Sequence, residues 1–303
     1  MKTRILIKDG EYKLSRAGCM DAKIDAEELY CFLTGLDKVT LFLKAEEEVD
    51  KETEEKYYEL IKQRASRIPL QHITGHQEFM GFDFKVSPDV LIPRQDTETL
   101  VVEAGRVIQR LQKLEAENQG FFKRMRGKSD ISVLDMCCGS GAVGISLAKI
   151  CGNIEVVGSD ISPEAIAIAK ENAKALRVNM KFACGDMFKP LDEKPFNTPR
   201  FDVIVSNPPY IRTSIIPMLQ EEVKFHEPMQ ALDSGKDGLD YYEIILWQAP
   251  FYLKPEGWLL MEIGYDQGED LKRMIRDNKK YYMPEILQDL PGKDRVVKCR
   301  LKE

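Results

Sequence analysis

Four consecutive residues, Asn207-Pro208-Pro209-Tyr210, follow the apolar run Phe201–Val205 and could do an unusual piece of chemistry. The two prolines fix the backbone and remove two donors. The carbonyl of Pro208 is then offered as an acceptor beside the side-chain oxygen of Asn207, and Tyr210 supplies an aromatic face. Such a corner suits a flat, amide-like NH2 group. An amide nitrogen is a poor nucleophile because its lone pair is delocalised into the carbonyl. Accepting both N–H protons raises the electron density on nitrogen, favours pyramidalisation and stabilises the positive charge that develops. With a sulfonium methyl as electrophile, holding nitrogen, methyl and sulfur in line supplies much of the remaining rate. No histidine base or catalytic carboxylate is demanded. A stiff turn with no function would also explain two prolines, but the segment ends a strand where a ligand should lie.

A second set of residues suits the donor of such a methyl, S-adenosylmethionine. Asp135-Met-Cys-Cys-Gly139-Ser140-Gly141 follows the apolar run Ile131–Leu134 and opens directly into a helix. Gly139 and Gly141 allow close backbone approach, and the helix start offers free N–H groups. Asp160 follows Glu155–Ser159, where a carboxylate can accept both hydroxyls of a ribose. Asp186 and its apolar neighbours Met187 and Phe188 follow Lys181–Ala183, where they can hold an adenine. Gly139-Ser-Gly-Ala-Val-Gly144 is also a literal G-x-G-x-x-G with Asp160 about 20 residues on, which is the dinucleotide fingerprint. Two features count against a dinucleotide. Asp135 puts negative charge close to where a pyrophosphate would sit, whereas it suits a cationic methionine group. The acidic residue after the third strand also has no set task in a dinucleotide site.

The elements that must carry these groups form a regular series. From residue 97 an amphipathic helix, Glu98 to about Glu117, precedes short apolar strands at Ile131–Leu134, Glu155–Ser159, Lys181–Ala183, Phe201–Val205 and Trp258–Ile263. Helices fall between them at Ala142–Ile150 and Pro163–Leu176, the latter with Ser162 as N-cap and proline at its first position. Arg295–Leu301 reads as a terminal strand. The alternation predicts a doubly wound, mostly parallel α/β sheet, with its ligand beyond the carboxyl ends of the strands. Residues 1–75 instead carry helical patterns, as at Ala26–Leu33 and Thr53–Ala65, and predict a small helical domain. Between the two, Phe79–Val86 alternates with period two, and Ser87-Pro88-Asp89 supplies a turn before Val90–Ile92. A hairpin is expected there.

Composition limits the function. The 303 residues are 43% hydrophobic and 31% charged, ordinary for a soluble chain, and no stretch is apolar for long enough to cross a membrane. No signal-peptide core opens the sequence, so a cytoplasmic protein is expected. Seven scattered cysteines without a C-x-x-C pair favour neither a disulfide framework nor zinc, and His72 and His76 read as loop residues rather than metal ligands. The net charge of −6 leans away from a nucleic-acid substrate. The basic run Lys123, Arg124, Arg126 and Lys128 reads as a solvated loop, and the acidic run Glu46–Glu59 as an exposed helix face.

Beyond these motifs, the chain resembles the release-factor glutamine methyltransferases (PrmC, also called HemK). The likeness covers Arg67-Ile-Pro through Gly75, Glu78-Phe79-x-Gly81, Val90-Leu-Ile-Pro93-Arg94, the glycine loop and Val157-Gly-Ser-Asp160-Ile-Ser-Pro163. It continues through Phe201–Ile211, Glu227-Pro228, Ala231-Leu232, Asp237-Gly238-Leu239, Glu262-Ile263-Gly264 and Gly292-Lys-Asp-Arg295-Val-Val. The resemblance implies a class I S-adenosylmethionine-dependent methyltransferase fold, a Rossmann-like sheet with an antiparallel last strand, over residues 96–303. A hairpin linker would span 76–95, and 1–75 would be a helical substrate-recognition domain. It also implies methylation of the side-chain N5 of the glutamine in the Gly-Gly-Gln motif of class 1 peptide chain release factors. By family position Cys137, Cys138, Gly139, Ser140, Gly141, Asp160, Asp186, Met187 and Asn207 would line the cofactor, and Asn207, Pro208, Pro209 and Tyr210 would hold the glutamine. Two departures stand out. Cys137-Cys138 replaces the family's usual Gly-Thr, and Gln95-Asp96 replaces Pro-Glu. A monomer is the simplest expectation.

Other functions fit the residues less well. An adenine-N6 nucleic-acid methyltransferase could use the same corner, since adenine's exocyclic amine is flat and conjugated, but it would need a basic groove and a way to extrude the base. A cofactor-binding scaffold without activity would not need the Asn-Pro-Pro-Tyr corner.

Overall fold

The computed structural model describes residues 1–118 and 131–303, so the basic run Lys123–Lys128 lies outside the described residues. By contact the chain falls into two units, Met1–His76 with Leu219–Glu227, and Gln77–Met218 with Pro228–Glu303.

The smaller unit is built on α1 (Thr3–Arg16), α2 (Ala22–Thr34), α3 (Lys38–Leu43), α4 (Lys51–Ala65) and α5 (Leu70–Thr74). Asp37 and Asp50 begin α3 and α4, their carboxylates accepting the Thr40 and Thr53 N–H groups. Gly35 ends α2 in the left-handed conformation. Leu6, Leu14, Leu29, Tyr57 and Ile61 fill the core. The segment Leu219–Glu227 is fastened to this unit by charge. Glu222 pairs with Arg67 at 2.5 Å and with Arg64 at 3.0 Å, and Arg64 also pairs with the buried Asp25 at 2.7 Å. The sequence gives no hint that a segment so late in the chain belongs to the helical unit.

The larger unit begins with a hairpin of β1 (His76–Phe79) and β2 (Phe82–Lys85). Its turn is Met80-Gly81, not the expected Ser87–Asp89, and Val90–Ile92 forms no strand. Met80 and Gly81 both have positive φ, 54° and 74°, as a tight hairpin turn requires. After a 3-10 turn at Gln95–Thr97 comes α6 (Glu98–Asn118). Then follow β3 (Ser132–Met136), α7 (Ala142–Cys151), β4 (Glu155–Asp160), α8 (Pro163–Ala175), β5 (Met180–Cys184), β6 (Phe201–Ser206), α9 (Glu221–His226, which belongs to the smaller unit), α10 (Asp240–Tyr252), β7 (Leu253–Glu262), α11 (Gly268–Asn278), β8 (Glu285–Gln288) and β9 (Asp294–Arg300). As expected, Ser162 caps α8, its hydroxyl accepting from Ala165 N.

Seven strands form one sheet in the order β5-β4-β3-β6-β7-β9-β8. The first five are parallel, and β9 runs antiparallel between β7 and β8. The central strands read as unbroken apolar runs because both faces are covered. Val133, Val203, Val205 and Leu260 face one core with α6 and α7, while Leu134, Ile204, Leu259 and Met261 face the other with α10 and α11. Each buried aliphatic side chain contributes about 1.5–3 kcal/mol. The sheet reverses direction at β3, whose neighbours are β4 and β6, and the carboxyl ends around that switch point frame the candidate site.

Candidate active site

A cavity of about 250 Å³ opens at those strand ends. Four turns that follow β3, β4, β5 and β6 contribute Cys137–Ser140, Asp160–Ser162, Gly185–Met187, and Asn207 with Pro209. Asp135 also reaches it, from within β3, which runs two residues past the expected Leu134.

The loop after β3 is held by short backbone bonds. Cys138 N–H donates to Ser159 O at 3.0 Å, and Gly141 N–H donates to Cys138 O at 2.7 Å. Cys137, Gly139 and Gly141 all have positive φ, at 58°, 52° and 79°. The cysteine that stands where the family has glycine therefore adopts the conformation glycine favours, at a cost of about 1–2 kcal/mol. Gly141 does not line the cavity. A Cβ there would come within 2.9 Å of Ile145 Cδ1 and 3.2 Å of Ala169 Cβ, so this glycine permits packing rather than ligand contact. Gly144 acts likewise, since a Cβ would fall 2.9 Å from Asp135 Oδ2. Burial pushes the Cys137 and Cys138 thiols well up, so neither is a ready thiolate.

Two carboxylates dominate the electrostatics. Asp160 Oδ2 accepts Gly139 N–H at 2.8 Å and Oδ1 accepts Ser162 N–H at 3.0 Å. Burial nevertheless raises its pKa, outweighing those bonds. With one backbone donor on each oxygen, the carboxylate keeps lone pairs for two ribose hydroxyls. Asp135 is 1% exposed and accepts one bond, from Gly144 N–H at 2.8 Å. No basic side chain among the described residues pairs with it, and burial pushes its pKa up to about 7. A buried carboxylate facing a cavity without its own cation fits the cationic methionine end of S-adenosylmethionine. Asp186 lines the wall while pairing with Lys189 at 2.5 Å, beside the apolar Met187.

The Asn207–Tyr210 corner is oriented from behind. Asn207 Nδ2 donates to Thr97 Oγ1 at 3.3 Å, which leaves Oδ1 as the outward acceptor. Among the described residues, no hydrogen bond engages Asn207 Oδ1 or the Pro208 carbonyl. Asn207 and Pro209 line the cavity; Pro208 and Tyr210 do not. Rather than presenting only a face, Tyr210 directs its hydroxyl inward to Glu262 Oε1 at 3.2 Å, and Gln267 Nε2 holds its carbonyl at 3.1 Å.

Several contributors carry no motif of their own kind. Pro88–Leu91, Pro93, Arg94 and Thr97 close one side of the cavity, and Pro228, Gln230, Ala231 and Tyr241 another. Asn172 on α8 ties the glycine loop to the hairpin, donating to Ser140 O and exchanging bonds with Lys85. Most of the wall segments fall in stretches of family resemblance, whereas Asn172 and Gln267 left no sequence signal. Among the described residues no cluster of His, Cys, Asp or Glu could hold a metal ion.

The strand order and the donor site together define a class I S-adenosylmethionine-dependent methyltransferase fold. A family model described as "Methyltransferase domain" matches residues 127–299, and one described as "PrmC N-terminal domain" matches 6–75. A solved methyltransferase from Pyrococcus furiosus aligns with a TM-score of 0.50 over 73% of this chain and 89% of that one, at 17% identity, which speaks to the fold alone. The release factor glutamine methyltransferase of Geobacter sulfurreducens is 40% identical over 288 residues, 95% of this chain and 93% of its own. That of Moorella thermoacetica is 38% identical over the full length of both. The chain belongs to the release factor glutamine methyltransferase family. No described helix is long and apolar enough to cross a membrane.

Proposed function

We propose that this enzyme transfers a methyl group from S-adenosylmethionine to the side-chain N5 of the glutamine in the Gly-Gly-Gln motif of class 1 peptide chain release factors. It would do so as a cytoplasmic monomer, with the helical unit recognising the protein substrate. The observation that carries the reading is the orientation of Asn207, which lines the same cavity as Asp160 and turns an unengaged acceptor outward. Relatives named for this reaction match nearly the whole chain, which supports the choice of glutamine over other flat amines.

S-adenosylmethionine supplies a sulfonium methyl that needs no further activation. The protein's task is to prepare the nitrogen. Asn207 Oδ1 and the Pro208 carbonyl accept hydrogen bonds from the two amide N–H groups, which localises the lone pair and disperses the charge that builds on nitrogen. As the N–CH3 bond forms the S–CH3 bond breaks, S-adenosylhomocysteine leaves, and the methylated nitrogen releases one proton to solvent. Asp160 holds the ribose and Asp135 the cationic end, so the donor methyl is fixed in position before the glutamine arrives. Asp186 and Met187 bound the adenine.

The test is mass spectrometry of the Gly-Gly-Gln peptide after a purified release factor is incubated with enzyme and S-adenosylmethionine. A gain of one methyl on the glutamine is expected, and it should vanish with glutamine replaced by glutamate in the motif. A methyl found on another residue, or none, would overturn the reading.

A further inference from the structure

We propose that Arg94 grips the carboxylate of the donor's methionine end, completing a site of which Asp135 is the other half. The inference rests on the placement of Asp135 against the donor's ammonium given above. S-adenosylmethionine carries that ammonium and a carboxylate on the same carbon, so whichever part of the wall meets one lies close to the other. Asp89, Asp135, Asp160 and Asp186 line the cavity with acid, and among the described residues Arg94 is the one basic side chain on its wall. A carboxylate brought among four acids without a cation would be strongly disfavoured. Arg94 is exposed to solvent while lining the cavity, as a group at its mouth must be.

The place of Arg94 in the fold matches the end of the donor it would meet. The strand order puts β4 and β5, with Asp160 and Asp186 following them, on one side of the cavity and β3 and β6 on the other. Asp135 on β3 pairs in register with Val205 on β6, and Met136 with Ser206, so Asn207 begins beside the end of β3. The segment carrying Arg94 is tied to this second side. Thr97 N–H donates to the Arg94 carbonyl at 3.1 Å, and the Thr97 hydroxyl accepts from Asn207 Nδ2 at 3.3 Å. Pro93 before it is buried and the 3-10 turn Gln95–Thr97 follows, so the backbone that bears the guanidinium is fixed on both sides. Arg94 and Asp135 thus share the side of the cavity away from the nucleoside.

The start of α7 is the rival for the carboxylate. Helix starts attract anions, and Ala142 and Val143 line the cavity. Asp135 already occupies that start, its Oδ2 accepting Gly144 N–H at 2.8 Å. A second carboxylate there would be repelled by the first. A guanidinium instead carries five N–H donors in a planar fork that meets a carboxylate with two parallel bonds, so contacts within the protein do not exhaust it.

Calorimetric titration of the full chain with ligands that differ by one group tests the inference. S-adenosylmethionine has both carboxylate and ammonium, its decarboxylated form has the ammonium alone, and 5′-methylthioadenosine has neither. Arg94→Ala is expected to weaken S-adenosylmethionine by about 10- to 100-fold, the worth of hydrogen bonds between charged groups. The decarboxylated donor should bind no more weakly than to the wild type, and methylthioadenosine equally well. The sign separates a contact from a general field. Both donors are cations overall, so loss of a nearby positive charge without a specific contact would tighten both. Arg94→Glu should widen the gap, weakening S-adenosylmethionine further and tightening the decarboxylated donor. Arg94→Lys keeps the charge but not the fork and should fall between the wild type and Arg94→Ala. Binding of the decarboxylated donor also shows that each variant has kept its fold. These affinities need no protein substrate. If no release factor is methylated, the proposed function fails while the comparison of donors still decides the role of Arg94. Asp135→Asn tests the premise separately, since unchanged affinity for the decarboxylated donor would remove the ammonium from Asp135. In Arg94→Ala, an equal loss for both donors, or no loss for S-adenosylmethionine, would overturn the inference.

Discussion

At the scale of single residues, Asp160 and Asn207 share one cavity. The proposed function puts Asp160 against the nucleoside part of the donor and Asn207 against the acceptor, so their losses should separate in kinetics. Asp160→Ala is expected to weaken S-adenosylmethionine binding by about 1.5–3 kcal/mol, the worth of hydrogen bonds to a charged group. Calorimetry showing unchanged affinity would deny the ribose role. Asn207→Ala should leave that affinity intact and reduce kcat by about 100- to 1000-fold, as removal of one preorganised transition-state contact does. Retained turnover would remove Asn207 from the mechanism. Asp135 adds a pH dependence of its own. With its pKa raised to about 7, it is neutral below that pH and attracts a cation only above it. Affinity for the cationic donor should rise with pH through neutrality and level off, and Asp135→Asn should flatten the profile in calorimetric titrations. The same shift works against the ligand-free fold. The raised acid favours folding below its ordinary value of 3.8, and that favour is lost as pH rises through about 7.

At the scale of elements, short structures do the positioning. The glycine loop is held by Asn172 from α8, and the Asn207–Tyr210 corner by Gln267 and Glu262 beyond it. The helix α9 is held to the smaller unit by Glu222, whose carboxyl is drawn down to about 2. Burial alone would raise it, but the hydrogen bonds from Arg67 and Arg64 outweigh that. A depressed acid stabilises above its unfolded value of 4.5, and that stabilisation is lost as pH falls toward about 2. Glu222→Gln leaves the half-buried Arg67 without its counter-charge and the buried Arg64 with Asp25 alone, and should cost about 2 kcal/mol. Hydrogen exchange should show α9 and the end of α4 opening more often, with the acid sensitivity of that opening reduced. An unchanged exchange pattern would mean the pairs contribute nothing.

At the scale of the whole molecule, the cavity and the Asn207–Tyr210 corner both lie in the larger unit, while the helical unit has a core of its own. Ligand binding should therefore be read out in the larger unit. S-adenosylhomocysteine at about 100 times its Kd should stabilise it by about 2.7 kcal/mol. Amides of β3, β4 and β6 that exchange only by unfolding should slow accordingly. Protection confined to the helical unit would contradict the location of the donor site.

Much of this was legible in the chain because it is local. Alternation of apolar runs with capped helices specified a doubly wound sheet, and residues at strand ends, Asp160, Asp186 and Asn207, fall at the ligand site because a parallel sheet gathers all its carboxyl ends on one edge. The hairpin was expected but its turn was misplaced, since only the backbone reveals that Met80 and Gly81 share positive φ. Helix α10 was not among the expected elements, and it carries Pro250 in its last turn, where the fold tolerates it. No local pattern could show that Thr97 and Asn207 meet, that Glu262 and Gln267 hold Tyr210, or that Glu222 returns to Arg64 across 158 positions. Nor could it show that Cys137 takes up a glycine's conformation, because the surrounding bonds impose it. Chemistry carried by neighbours in sequence was determined by the sequence; the orientation of that chemistry depends on contacts between distant segments, which only the folded packing decides.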